Sequence, residues 1–150
     1  MNKARWGLLA SLLFVAPCWA DPLKEIAEVA GPRAKAYSAG DVDGWTGAYA
    51  DNAVFFGSFS PFRVEGKPAI RAAFGEHFSQ FTNRRYYLRQ AQLRPFGDSL
   101  AVADGYYEIV LTDRSGKTTE HYGRYTAVWA KLNGRWQIIQ QQNSDLPNSR

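Results

Sequence analysis

Cysteine is almost missing from this chain. Its 150 residues include one, Cys18, beside one methionine and two histidines. A single cysteine excludes an internal disulfide framework and a thiolate metal site. The histidines, His77 and His121, stand far apart with no carboxylates at ligand spacing, so neither a metal nor a cofactor is expected. No nucleophile elbow supports a Ser-His-Asp triad. Internal repeats and low-complexity linkers are absent. The apolar run Leu8 to Ala16 is too short for a permanent membrane-spanning helix.

That run has its own explanation. "MNKARWGLLASLLFVAPCWA" sets Lys3 and Arg5 before the apolar stretch and small residues at Cys18 and Ala20. The pattern is that of a secretory signal, residues 1–20, cleaved after Ala20. The expected mature protein starts at Asp21, is periplasmic or secreted, has no membrane attachment and contains no cysteine. Losing Lys3 and Arg5 from 18 basic residues, against 14 acidic ones, takes the net charge from +4 to +2. The cluster Arg84, Arg85, Arg89 and Arg94 reads as solvated strand edge, not as a nucleic-acid footprint, and no nucleic-acid partner is expected.

What the chain has in quantity is apolar and aromatic surface, 45% and 15% of residues. That is enough for one real core and for an aromatic-lined pocket. Asp21-Pro22 opens a helix as N-cap and first position. Leu23, Ile26, Ala27, Ala30, Ala34 and Tyr37 keep a helical stripe up to Gly40, with a bend or break expected at Gly31-Pro32. Asp41 caps a second helix through Trp45 and Tyr49. Residues 53–59 form a strand and 60–66 a loop. Gly66-Lys67-Pro68 starts a third helix with Ile70, Phe74, His77, Phe78 and Phe81 on one side. Four strands follow, at 84–96, 99–113, 118–132 and 135–144. Turn signals separate them, and Asn133-Gly134 is the strongest. Helices before a long antiparallel meander imply an α+β domain over residues 21–147, with 148–150 a frayed tail.

The order of elements resembles the NTF2-like superfamily, with its SnoaL-like polyketide cyclases and ketosteroid isomerases. "AGDVDGWTGAYADNAVFFGSFSPFRVEGKPAIRAAF", residues 39–74, is similar to the helix–strand–loop–helix segment of that group. "YTAVWAKLNGRWQII" resembles its closing hairpin, above all that of the association domain of the calcium/calmodulin-dependent kinases. The resemblance covers residues 24–146. It implies a cone-shaped fold, a curved antiparallel sheet wrapped around N-terminal helices. Fold alone does not carry the chemistry.

Residue by residue, the resemblance transfers little. The isomerase base falls on Gly57, and the nearby Asp51 and Glu65 read as turn and loop surface. The pocket arginines of the association domain fall on Tyr107, Ala127 and Asn143. Its two terminal histidines fall on Gln140 and Gln142, which hydrogen-bond but do not titrate. Plain alternation along the last strand puts Gln140 and Gln142 with Trp136 and Ile138, and Ile139 with Gln141 and Asn143. With the arginine correspondence, Gln141 and Asn143 face the pocket. A one-residue slip would instead turn Arg124 inward. Asp104 and Glu108 share one strand face, taken as exposed or interfacial.

The pocket candidates are therefore Trp45, Tyr49, Phe55 or Phe56, Phe74, Phe78, Tyr107, Tyr125, Gln141 and Asn143. Tyr49, Tyr107 and Tyr125 are the ones expected to touch a ligand. Two functions remain. The first is a non-catalytic dimer whose cone holds a small apolar or aromatic molecule, with the outer sheet face as the two-fold interface. The second is a cofactor-free isomerase, cyclase or hydratase using His77 or His121 as acid–base. They differ in what the imidazoles touch: an enzyme needs at least one ring at the cavity.

Overall fold

The computed structural model describes residues 21–146. The expected signal, residues 1–20, and the expected frayed tail, 148–150, lie outside the described residues. Helix α1 runs from Pro22 to Ala39. Its cap is as the local text requires: the Asp21 side chain accepts from the Leu23 amide, and Gly40 closes the helix at φ 72°. The expected break at Gly31-Pro32 does not occur, and the helix continues through Pro32. Both residues, and Glu28 one turn earlier, are exposed. The carbonyl that loses its amide partner therefore faces water.

Helix α2, Val42–Thr46, is capped by Asp41, whose side chain accepts from Gly44. Tyr49 is not on it. Gly47 ends the helix, and Tyr49 opens strand β1, Tyr49–Phe56, where it pairs with Ile138. Val64 and Glu65 form a short β2 antiparallel to β1 inside the expected loop. Helix α3 spans Lys67–Ser79. Phe81, expected on its apolar side, instead begins β3, Phe81–Pro95. Then come β4, Leu100–Asp113, β5, Thr118–Leu132, and β6, Arg135–Asp145. Asn133 and Gly134 both take positive φ, 50° and 76°, in the two-residue turn between β5 and β6.

The strands form one sheet in the order β2-β1-β6-β5-β4-β3. It is antiparallel except where β1 meets β6, which run parallel. The meander thus ends in the middle of the sheet, and β1 extends it beyond β6. The sheet curls around the helices, helped by irregular pairing. Between Arg89 and Gln92 the β3–β4 register shifts, with Gln90 at φ 48°. Gly105 lies opposite, where a Cβ would come 2.9 Å from the Ala91 Cα.

An aromatic knot holds helices to sheet. Trp45 meets Tyr37, Phe74 and Tyr86 with ring centroids 5.0, 5.6 and 5.2 Å apart. Edge-on contacts of this kind add to the burial of large apolar area. The start of α1 is tied to the closing hairpin, where Lys131 Nζ and Trp136 Nε1 both donate to the Glu25 carboxylate at 2.6 Å.

Candidate functional site

Between the helices and the concave face lie two chambers that share Trp45 and Tyr86 as a wall. The outer one, about 230 Å³, carries the titratable groups. α3 brings His77 to it. The His77 Nε2 lies 3.2 Å from the Tyr37 hydroxyl, and the Phe59 ring stacks on the imidazole at 4.6 Å. Burial pushes the His77 pKa down to about 4, with the Arg84 charge and then His121 adding to the effect. The ring is therefore neutral near pH 7.

His121, on β5, lines the same chamber, with its Nε2 3.1 Å from Thr119 Oγ1. On the same concave face the Tyr107 hydroxyl donates to Asp145 at 2.9 Å. Burial raises the Tyr107 pKa, so that hydroxyl stays a neutral donor. Tyr107 fits because Gly123 has no side chain: a Cβ there would sit 2.0 Å from the Tyr107 ring. Asn143 also lines this chamber.

The inner chamber, about 190 Å³, lies under α1 and is lined by Arg33, Tyr125, Gln141 and mostly apolar groups. A short polar chain joins it to the outer one. Tyr49 donates to Gln141 Oε1 at 2.9 Å, and Gln141 Nε2 donates to Asn143 Oδ1 at 2.9 Å. That fixes both amides and leaves the Asn143 nitrogen as a donor.

The inward turn of Gln141 needs one extra residue. Plain alternation sets Trp136 and Ile138 apart from Gln141, yet all three are buried, at 4%, 0% and 2% exposure. The pairing passes from Trp129 with Ile138 to Val128 with Gln140, so Ile139 is an unpaired bulge. The bulge reverses the faces after it. Gln140 and Gln142 are exposed, as expected, but not for the reason that alternation supplies.

The remaining candidates divide cleanly. Trp45 and Phe74 line the outer chamber with Tyr107 and Asn143, while Tyr125 and Gln141 line the inner one. Tyr49, Phe55 and Phe78 line neither and are core, with Tyr49 and Phe55 wholly buried. Phe56 is exposed. Arg124 is exposed on the convex face beside Tyr106, so the slip that would turn it inward does not occur. Glu108 and Asp104 pair there with Arg89 and Arg94. Gly57 leaves the isomerase-base position empty, since a Cβ there would lie 2.5 Å from the Phe55 ring.

The sequence reading overlooked Arg33, Tyr86, Phe59 and Asp145. Arg33 was detectable, since it falls seven residues after Ile26 on the buried stripe of α1. Asp145 was detectable as well, since it stands two residues after Asn143 on the same strand face. A larger open groove of about 470 Å³ lies outside the concavity, between α1, α2 and the β5–β6 turn. Its carboxylates are already engaged, Glu25 by Lys131 and Asp43 by Arg71. Among the described residues no three His, Cys, Asp or Glu side chains group as a metal site. No described helix is long and apolar enough to cross a membrane.

A family model described as a SnoaL-like domain matches residues 26–149. The chain belongs to the SnoaL-like domain family. Its fold is that of the NTF2-like superfamily. A proposed calcium/calmodulin-dependent protein kinase II association domain from Xanthomonas campestris is 25% identical, with a TM-score of 0.75 over 88% of this chain and 92% of that one. An NTF2-like protein from Salmonella enterica is 21% identical, with a TM-score of 0.74 over 86% and 94%. A proposed scytalone dehydratase from Novosphingobium aromaticivorans is 10% identical, with a TM-score of 0.74 over 83% and 84%. No curated protein matches significantly. Within this SnoaL-like chain, the site must be read from its own side chains.

Proposed function

We propose that this SnoaL-like protein binds a small, flat ring compound carrying one or two oxygens in its outer chamber. The supporting observation is the build of that chamber: stacked aromatic walls with a few convergent polar tips, at Tyr107, His121 and Asn143. Native mass spectrometry of protein purified from its own compartment tests the reading. A retained ring compound that Tyr107→Phe weakens is the expected result. Protein that emerges empty, and gains no thermal protection from phenols or cyclic ketones, would overturn it.

A second reading, a cofactor-free isomerase, cyclase or dehydratase, is favoured by one specific observation. Both imidazoles line the same chamber, as an acid–base role requires. In that reading the His121 imidazole takes a proton from the carbon beside a carbonyl. The Asn143 amide nitrogen, left free as a donor, meanwhile donates to the oxygen that becomes the enolate. Return of the proton to another carbon completes an isomerisation. Deuterium uptake from D₂O into cyclohexanone, followed by NMR, separates the two readings: enzyme-dependent uptake abolished by His121→Gln supports catalysis.

The site of action that goes with this reading is the periplasm or beyond, following the signal pattern at residues 1–20. N-terminal sequencing of the purified protein tests it, with Asp21 as the expected first residue. The convex face is proposed to pair with a second copy. It presents half-exposed Tyr87, Tyr106 and Tyr122 on adjacent strands around the Arg89–Glu108 ion pair. A monomer by light scattering at micromolar concentration would sink that pairing.

A further inference from the structure

Among the described residues, Arg33 is the only charged residue that is buried, at 8% exposure. Its guanidinium lies over the Trp45 ring, 4.2 Å from the centroid, and 5.3 Å from that of Tyr49. Nε donates to the Trp45 carbonyl oxygen at 3.0 Å. Nη2 is buried and has no hydrogen-bond partner. None of the ion pairs among the described residues includes Arg33. A buried cation with a free donor and no counter-charge is a costly arrangement, and an anion relieves it.

Arg33 borders both the open groove and the inner chamber. The groove also carries the Glu25 and Asp43 carboxylates, which repel an anion, so the inner chamber is where that anion fits. Arg33 lines it, with Tyr125 as the other group offering a hydroxyl. Burial raises the Tyr125 pKa, and the Arg33 charge pulls against that, so the two groups sense each other. Gln141 is held in place by Tyr49 on its oxygen and Asn143 on its nitrogen. Ile26, Leu93 and the Trp129 ring make much of the remaining wall apolar, with Gln92 and the unpartnered Trp129 Nε1 as further polar points. One fixed positive charge matches one negative charge. A phosphate dianion would leave its second charge unpaired in the chamber.

We propose that the inner chamber is a monocarboxylate site, with the acid's oxygens on Arg33 Nη2 and the Tyr125 hydroxyl and a compact apolar body against Ile26, Leu93 and Trp129. The site does not depend on the outer chamber being catalytic or on its ring ligand. Benzoate and hexanoate, each against its neutral amide, are the probes, at neutral pH and low salt. Calorimetry measures affinity, and the Arg33 Nε–H and His77 ring signals in NMR report which chamber responds. The acids are expected to bind about tenfold tighter than the amides or more, with the Arg33 signal moving and the His77 signal still. Arg33→Met, which keeps the length of the stem, is expected to abolish the preference and to raise the melting temperature, since it removes an unpaired buried charge. Tyr125→Phe is expected to weaken the acids alone, a few-fold. Equal binding of acid and amide by the native protein would overturn the site, even if Arg33→Met does not fold. So would a preference that survives in Arg33→Met, or an acid that moves His77 in place of Arg33.

Discussion

The two chambers share a wall yet solve opposite electrostatic problems. In the outer one the polar groups meet each other: His77 with Tyr37, His121 with Thr119, Tyr107 with Asp145. The His77 imidazole is neutral there, so its burial leaves no bare charge to compensate. In the inner one a permanent cation, Arg33, is left with a free nitrogen. An arginine cannot discharge by releasing its proton, whereas a histidine can. The outer chamber therefore tunes itself with pH, and the inner one waits for an anion. Between them runs the Tyr49–Gln141–Asn143 chain, which holds both walls in register.

The comparison breaks most severely at the shared wall. Trp45→Ala removes the ring that separates the chambers and carries the Arg33 guanidinium. A loss of about 3–5 kcal/mol in urea-unfolding stability is expected. A loss below 1 kcal/mol would show that the wall is not structural.

The next largest effect is on pH dependence. The folded His77 pKa lies near 4, below its ordinary 6.5. Between those values the unfolded chain binds more protons, so stability is full above pH 6.5 and falls as pH drops toward 4. The contribution is at most about 3 kcal/mol. His77→Phe keeps the stack on Phe59 and should flatten this window relative to the native protein. Parallel pH–stability curves for the two would remove the self-tuning account of the outer chamber.

Gly123→Ala strikes only the outer chamber. Its new Cβ collides with Tyr107, and about 1–3 kcal/mol should be lost as the Tyr107–Asp145 bond is displaced. Acid binding in the inner chamber should survive. The smallest expected effect is that of Tyr49→Phe, about 1 kcal/mol by thermal denaturation, because Gln141 loses one donor. A larger loss would mean that the polar chain couples the chambers more tightly than one hydrogen bond does.

Much of the frame was legible along the chain. Asp21, Asp41 and Gly40 announce helix ends through local hydrogen bonding, and Asn133-Gly134 announces its turn through positive φ. Those signals act over a few residues, so they survive without knowledge of the fold. The site was legible only in part. Tyr107, Tyr125, Gln141 and Asn143 do line the chambers, but the four-residue spacing of Trp45 and Tyr49 suggests a helix where Tyr49 opens a strand. The parallel pairing of Tyr49 with Ile138 overrode that spacing. Pro32 misled in the other direction, since its helix-breaking effect is mild where the freed carbonyl reaches water.

By itself the sequence determined the caps, the turns, the order of helices and strands, and the supply of aromatic side chains for an enclosed concavity. These follow from local backbone preference and from apolar period. Only the tertiary structure decided that Ile139 bulges and so turns Gln141, Asn143 and Asp145 toward the chambers, because register belongs to a pair of strands and not to one. It alone decided that Arg33 is buried without a counter-charge. No local pattern reports the absence of a partner; that depends on which side chains the rest of the chain brings within reach.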